Sequence, residues 1–137
     1  MKNKKTVFAS MILSVLLIAG CGLTESADSD DASKVIRINA EEAYNMMNEE
    51  EVTVVDVRTR EEYAAKHIEG ALLLPVDQIT DSAEEVLKDK EAVYLIYCRS
   101  GSRSAQAAKE LVSMGYENIY DFGGIIDWPY ETVSGNQ

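Results

Sequence analysis

The segment Val93–Ser104, which reads Val-Tyr-Leu-Ile-Tyr-Cys-Arg-Ser-Gly-Ser-Arg-Ser, most constrains the fold of this 137-residue chain. Val93–Tyr97 is a run of apolar, β-branched and aromatic residues, which predicts a buried strand. Small and polar residues follow Cys98, and the chain from Ser104 onward is rich in residues that favour a helix. Strands and helices alternate along the rest of the chain as well, which predicts a parallel sheet with helices on both faces.

The position of Cys98 between the predicted strand and helix indicates a reactive thiol. The loop after it is small and flexible enough to turn successive backbone N–H groups inward, and the helix adds its free N–H groups and positive dipole end. Arg99 and Arg103 add two positive charges. All three effects favour the thiolate, so the sequence predicts a lowered pKa for Cys98. A Cys that only fills space in the core is the alternative, but it has no need of two arginines.

The loop resembles the active loop of the rhodanese (sulfurtransferase) family, and the resemblance extends over about residues 35–130. The other motifs that carry it keep the family's order: Asp56-Val57-Arg58, Glu61-Glu62-Tyr63, His67-Ile68-Glu69-Gly70-Ala71 with Pro75, Gly115-Tyr116, Gly123-Gly124 and Trp128. The resemblance implies a three-layer α/β domain with a central parallel sheet of about five strands. The related phosphatase and arsenate-reductase branch has its arginine six positions after the cysteine, whereas Arg103 lies five positions after Cys98. The shorter ring suits one sulfur atom better than a tetrahedral oxyanion.

The resemblance also implies an activity. Cys98 would take a sulfane sulfur from thiosulfate or a persulfide and pass it to a thiol acceptor, with no cofactor because the cysteine persulfide is the carrier. The expected substrate-binding groups are charged side chains and loop N–H groups, from Arg99, Ser100, Gly101, Ser102 and Arg103. Three alternatives stay open: a sulfur carrier or redox sensor with little turnover, a binding module of the same fold, and a phosphatase or arsenate reductase.

Other polar residues have a structural and a functional interpretation. Asp56 and Arg58 end a predicted strand at the edge where Cys98 lies, and they form either an ion pair that braces the loops or, through Arg58, a contact to an anionic donor. His67, the only histidine, is expected in a structural turn, as in the family, rather than beside Cys98. Trp128 is expected in the core or in a lid. With one histidine and no cysteine cluster, no metal site is expected.

Local signals predict where several elements begin and end. Asn39 and Thr59 are N-cap candidates, and Gly115 is expected to end a helix that begins at Ser104. A further helix is expected to be capped by Asp81 or Ser82. The strand expected at residues 118–120 is followed by a Gly-Gly turn at residues 123–124.

The first 21 residues have the pattern of a targeting segment. A lysine-rich start precedes the 13-residue, mostly apolar stretch Val7–Ala19, which is too short for an ordinary membrane span. The sequence Ile18-Ala19-Gly20-Cys21 resembles a bacterial lipobox. The resemblance implies a signal peptide at residues 1–20 and a lipid on Cys21 that holds the protein outside the cytoplasm on the bacterial membrane. The Ser-, Asp- and Ala-rich composition after Cys21 predicts a flexible acidic tether at residues 21–34, before the domain at residues 35–137. An uncleaved anchor and an ordinary secretory signal are the alternatives.

Charge and cysteine content restrict the partners. The net charge is −11, but residues 1–20 hold three lysines and no acid, so the remainder has ten basic and 24 acidic residues. Such a surface argues against nucleic acid as a partner and against electrostatic attachment to anionic lipid. If Cys21 carries a lipid, Cys98 is the only thiol, and it is exposed to over-oxidation outside the cytoplasm. We therefore expect that Cys98 is protected by a partner or rests as a persulfide. We also expect the protein to be a monomer.

Overall fold

The computed structural model of the protein describes residues 34–136. The predicted signal peptide, Cys21 and all but the last residue of the predicted tether lie outside the described residues. The elements in chain order are β1 (Ile36–Arg37), α1 (Ala40–Glu49), β2 (Thr53–Asp56), α2 (Arg60–Ala65), β3 (Leu72–Leu73), α3 (Ile79–Val86), β4 (Val93–Cys98), α4 (Ser102–Ser113) and β5 (Asn118–Gly124), with short 3-10 turns at Val76–Gln78 and Ile125–Asp127. None of the helices in this described part is long and apolar enough to cross a membrane.

The five strands form one parallel sheet in the order β1-β5-β4-β2-β3. β4 lies at the centre, between β2 and β5, because its six residues are apolar enough to be covered on both faces. In a parallel sheet all carboxyl ends lie at one edge, and this edge is where ligands bind in open α/β sheets. Cys98 is the last residue of β4 and therefore lies at that edge.

Two hydrophobic clusters cover the two faces of the sheet, since alternate strand residues point to opposite sides. On one face Val55 and Ile96 pack with the α3 and α4 residues Ala83 and Leu111. On the other face strand residues pack with α1 and α2, in a cluster that includes Ala43, Val54, Tyr63, Leu95 and Tyr97. The predicted three-layer α/β fold with helices on both faces is confirmed.

The predicted caps of α1 and α2 are confirmed as capping boxes. The Asn39 side chain accepts from the Glu42 N–H, and the Glu42 carboxylate accepts from the Asn39 N–H. Thr59 and Glu62 make the same reciprocal pair at the start of α2. Gly115 follows the last residues of α4 with a φ of +92°, the left-handed conformation expected at this position.

Three predicted boundaries were wrong. α3 begins at Ile79 and not at Asp81 or Ser82, because the preceding 3-10 turn runs directly into it and no side chain caps it. α4 begins at Ser102, two residues before the predicted start. β5 extends through the two glycines that were predicted to form a turn, because Gly124 pairs with Cys98 across a register shift in the sheet.

Candidate active site

Cys98 lies under a loop of only three residues before α4 begins. The thiol is almost completely buried, with 1% of the residue exposed, and the Gly101 N–H donates to Sγ at 3.0 Å. Gly101 has a φ of +103°, which reverses the chain so that it serves as the N-cap of α4. The N-terminus of α4 is thereby brought against the sulfur, as the sequence predicts.

The start of α4 supplies the other donors at this site. The Ala105 N–H donates to the Gly101 carbonyl at 3.2 Å and closes the first turn of the helix. Ser102, Arg103 and Ser104 come before Ala105 in the first turn of the helix. The N–H groups of a first turn have no intrahelical acceptor, so these three are free to bind a negative charge. The site is therefore an arc of backbone donors around one sulfur atom.

The pKa of Cys98 is lowered by these groups. Burial alone raises the pKa of the thiol, but hydrogen bonds from the Ser104 N–H and hydroxyl and from the Gly101 and Ser100 N–H groups outweigh burial. The direction agrees with the prediction from the sequence. Within the described residues neither arginine side chain donates to Sγ. The charge of Arg103 still favours the thiolate, because after the Glu62 hydrogen bond the Cys98 thiolate is among the groups that raise the pKa of Arg103.

Ser104 is a site residue that the sequence interpretation used only as the start of a helix. It is completely buried, and its Oγ lies 3.1 Å from the Gly101 carbonyl oxygen and 3.2 Å from that of Gly123. A hydroxyl has one proton, so it donates to a carbonyl or to the thiolate, one at a time. The signal that could have identified Ser104 is its position in the first turn of the helix behind the loop, where a short hydroxyl points back to Cys98.

The side chain of Arg103 is held by Glu62 of α2. Its Nη1 donates to Glu62 Oε2 at 2.7 Å and its Nη2 to Oε1 at 2.8 Å. The bidentate hydrogen bond from Arg103 lowers the pKa of Glu62 to about 2, and the Glu62 carboxylate also accepts from the Thr59 N–H. Arg103 therefore ties the start of α4 to the start of α2, and its fork is already occupied by a carboxylate.

Arg99 has the opposite placement. Its side chain and that of Ser100 are exposed at the surface of the loop, and the Arg99 backbone carbonyl accepts from the Ile126 N–H at 3.2 Å. The backbone of Arg99 is thus fixed while its guanidinium makes no ion pair with any described residue. Of the two predicted substrate-binding arginines, Arg99 is the one whose side chain is available to an anion.

Arg58 belongs to a closed network at the end of β2. Only 4% of the residue is exposed, and its Nε and Nη2 donate to Asp56 at 2.9 and 2.6 Å. Nη2 also donates to the Lys66 carbonyl, and the Tyr97 hydroxyl donates to Asp56 Oδ2 at 2.6 Å. Burial lowers the pKa of Arg58, but the hydrogen bonds and charge of Asp56 outweigh burial and raise it. The ion-pair interpretation of Asp56 and Arg58 is confirmed. Nη1 of Arg58 has no hydrogen-bond partner among the described residues, so a contact from Arg58 to an anionic donor stays a prediction.

His67 and Trp128 have the structural roles expected of them. His67 is buried, stacks on Tyr63 at a ring distance of 3.7 Å, and places Nδ1 2.8 Å from the Tyr63 carbonyl oxygen. Trp128 packs against Phe122 in the core cluster on the α1 face, with ring centroids 5.6 Å apart. The catalytic candidates that the fold brings together are thus Cys98 and the N–H groups around it.

Known proteins are similar to this chain in sequence and in fold. A family model for the rhodanese-like domain matches residues 39–129. The chain is 32% identical over 81 residues to thiosulfate sulfurtransferase PspE of Escherichia coli (strain K12), a match that covers 59% of this chain and 78% of the relative. It is 45% identical over 80 residues to a sulfurtransferase of Allochromatium vinosum, covering 58% and 73% of the two chains. A solved structure of a rhodanese with anions from E. coli superposes with a TM-score of 0.59 at 30% identity and covers 62% of this chain and 100% of its own.

Proposed function

The chain belongs to the rhodanese-like domain family, and from that premise we propose that it is a sulfurtransferase whose carrier is a persulfide on Cys98. The observation that carries the proposal is the buried Cys98 Sγ with the Gly101 N–H at 3.0 Å and the free N–H groups of the α4 start around it. Such an arc suits a sulfur atom with a negative charge, which is the form of Cys98 both before and after it accepts sulfur. The relatives named thiosulfate sulfurtransferase support the same reaction class.

The reaction consists of two displacements at sulfur. The Cys98 thiolate attacks the outer sulfur of thiosulfate, the donor S–S bond breaks, and sulfite leaves with the electron pair. An acceptor thiolate then attacks the terminal sulfur of the persulfide, the bond to Sγ breaks, and the Cys98 thiolate returns as the acceptor leaves with the extra sulfur. Atoms and electrons balance over the two steps, so no redox cofactor takes part.

Each residue around Cys98 has a separate role in the proposed reaction. The N–H groups of Ser100, Gly101 and the α4 start hold the negative sulfur in each state. The Ser104 hydroxyl adds a donor when the thiolate forms. Arg99 is exposed at the mouth and attracts the sulfonate end of an anionic donor. Arg103 acts indirectly, because its ion pair with Glu62 keeps the first turn of α4 in place.

Mass spectrometry of the intact protein tests the proposal. Incubation with thiosulfate is expected to add the mass of one sulfur atom, and cyanide or a thiol is expected to remove it with release of thiocyanate or a persulfide. The variant Cys98→Ser keeps the size of the side chain and removes the nucleophile, so it is expected to fold and to gain no sulfur. A sulfur adduct on Cys98→Ser, or none on the unchanged protein, would contradict the proposal.

Turnover rates with sulfur acceptors and with aryl phosphates separate these alternatives. An adduct that forms but turns over slowly with every acceptor indicates a carrier or a redox sensor in place of an enzyme. Hydrolysis of aryl phosphates at rates equal to sulfur transfer indicates the phosphatase branch. The position of Arg103, five residues after Cys98, favours sulfur transfer over that branch.

We also propose that the domain is anchored to the outer face of a bacterial membrane through a lipid on Cys21. The support is the sequence Ile18-Ala19-Gly20-Cys21 after a basic and then apolar start. The variant Cys21→Ala is expected to lose the lipid and to leave the membrane fraction, while its sulfur transfer stays unchanged. Recovery of both proteins in the same soluble and unmodified form would contradict the anchor.

A further inference from the structure

The end of β5 lies directly beneath the loop that holds Cys98. A Cβ placed on Gly124 would overlap the carbonyl oxygen of Arg99 and would lie 2.6 Å from the Cα of Ser100. The backbone angles of Gly124, φ −124° and ψ 146°, are ordinary extended values that any residue adopts. This glycine is therefore needed for the close approach of two backbones and not for its conformational freedom.

Gly123 connects this end of β5 to the first turn of α4. Its φ of +86° is left-handed, and its N–H donates to the side chain of Asp121 at 3.0 Å. Its carbonyl oxygen lies 3.2 Å from the Ser104 hydroxyl. A chain of hydrogen bonds therefore runs from Asp121 through the Gly123 peptide groups to the Ser104 hydroxyl, in the first turn of the helix that follows the Cys98 loop.

Burial of the Asp121 carboxylate costs folding free energy, and its ion pair with Arg37 does not offset this cost. Its side chain has no exposed surface, and Oδ2 has no hydrogen-bond partner among the described residues. The nearest positive charge is Nη1 of Arg37 at 3.6 Å, on a side chain that is 69% exposed. A buried carboxylate oxygen without a donor destabilises a fold, and a surface-exposed partner returns little of that free energy.

From these contacts we propose that Asp121 is a positioning residue for Cys98. The Asp121 carboxylate accepts from the Gly123 N–H and so fixes the end of β5. The Arg99–Ser100 backbone packs against this end, and the Gly123 carbonyl oxygen orients the Ser104 hydroxyl. Gly124 sets how closely the loop approaches that end. The proposal deepens the proposed function, since Cys98 is the nucleophile there, but it concerns the thiolate itself and not the substrate.

The pH dependence of Cys98 alkylation by iodoacetamide tests this role in the full chain. Asp121→Asn keeps an oxygen that accepts from Gly123, so its alkylation midpoint is expected to match that of the unchanged protein. Asp121→Ala and Gly124→Ala are expected to raise the midpoint by about one pH unit, the equivalent of about one hydrogen bond to the thiolate. Sulfur transfer is expected to fall about tenfold in both, since one unit of 1.36 kcal/mol corresponds to that factor.

A charge effect alone predicts the opposite sign. Removal of the negative Asp121 would favour the Cys98 thiolate and lower the midpoint in the Asn and Ala variants alike. Gly70→Ala is the matched glycine control, because Gly70 has a φ of +78° and no atom within 4 Å of an added Cβ. It is expected to lose stability and to keep the midpoint.

These measurements test the positioning role of Asp121 separately from the proposed sulfurtransferase activity. Folded Asp121→Ala and Gly124→Ala proteins with an unchanged or lowered midpoint would overturn it, as would an Asn variant that behaves like the Ala variant. If Asp121→Ala does not fold, the nearly isosteric Asp121→Asn decides, because a lowered midpoint in that variant would indicate a charge effect and overturn the proposal. A raised midpoint in a protein that never transfers sulfur from thiosulfate supports the positioning role and contradicts the proposed function alone.

Discussion

The ends of β2 and β4 lie side by side at one edge of the sheet and have opposite electrostatic character. At the end of β2, the side chains of Asp56, Arg58 and Tyr97 form a buried hydrogen-bond network. At the end of β4, the N–H groups around Cys98 converge on a sulfur and have no carboxylate among them. Polar groups that hydrogen-bond to one another make a rigid support, whereas donors that converge on one sulfur atom stabilise a negative charge there.

Tyr97 joins the two regions. It pairs with Asp56 in the sheet and directly precedes Cys98. Its hydroxyl donates to Asp56 and accepts from the Ile68 N–H at 3.1 Å. Burial and the negative charge of Asp56 raise the pKa of Tyr97, so it stays a neutral donor. The closed network thereby holds the strand that carries the reactive residue.

Breaking the closed network is expected to give the largest effect on stability. Asp56→Ala leaves the Arg58 guanidinium buried without a counter-charge, which costs about 3–5 kcal/mol of unfolding free energy. Urea unfolding of the two proteins measures this difference. The control is Glu84→Ala, which removes an exposed partner of Lys90 at 2.7 Å and is expected to change nothing measurable. Equal urea midpoints for Asp56→Ala and the unchanged protein would show that the network does not stabilise the fold.

Glu62→Gln tests whether the charge on Arg103 serves the loop or the substrate. The glutamine side chain retains an oxygen for the Thr59 N–H but loses the bidentate pair, so α4 loosens and sulfur transfer is expected to fall about three- to tenfold. If Arg103 instead binds the donor directly, freeing its guanidinium would lower KM for thiosulfate. Steady-state kinetics with thiosulfate and cyanide distinguish the two results.

The difference in stability between the unchanged protein and Glu62→Gln is expected to depend on pH. Because the folded pKa of Glu62 is lowered from 4.5 to about 2, its contribution is complete above about pH 4.5 and is lost as the pH falls toward 2. The unfolding free energies of the unchanged protein and Glu62→Gln are therefore expected to differ at about pH 6 and to converge near pH 2. A difference that stays constant over this range would mean that the ion pair contributes nothing to stability.

Arg99→Gln is expected to have the smallest effect. Its exposed guanidinium attracts an anionic donor but contacts no described acid, so KM for thiosulfate should rise about two- to fivefold with stability unchanged. The effect should shrink as salt is added, because exposed charges are screened. Lys88→Gln, which removes another exposed cation, is the control and should leave KM unchanged. A KM that does not respond to Arg99→Gln would remove Arg99 from the substrate site.

Much of the fold could be predicted from local patterns. The apolar run that became β4, the caps at Asn39 and Thr59, and the glycine after α4 are each decided within a few residues. Boundaries that depend on a partner strand could not be predicted in this way. The end of β5 is one such case, because only its pairing with Cys98 extends the strand through Gly124.

The sequence by itself determined that a thiol would follow a central strand and precede a helix, because strand, loop and helix signals act over short range. Tertiary structure alone decided which polar groups meet. It paired Arg103 with Glu62 and left Arg99 exposed. It also brought Ser104 and the β5 glycines to the Cys98 loop. Residues up to 41 positions apart in the chain make these contacts, and their distances depend on the packing of whole elements, which no local propensity encodes.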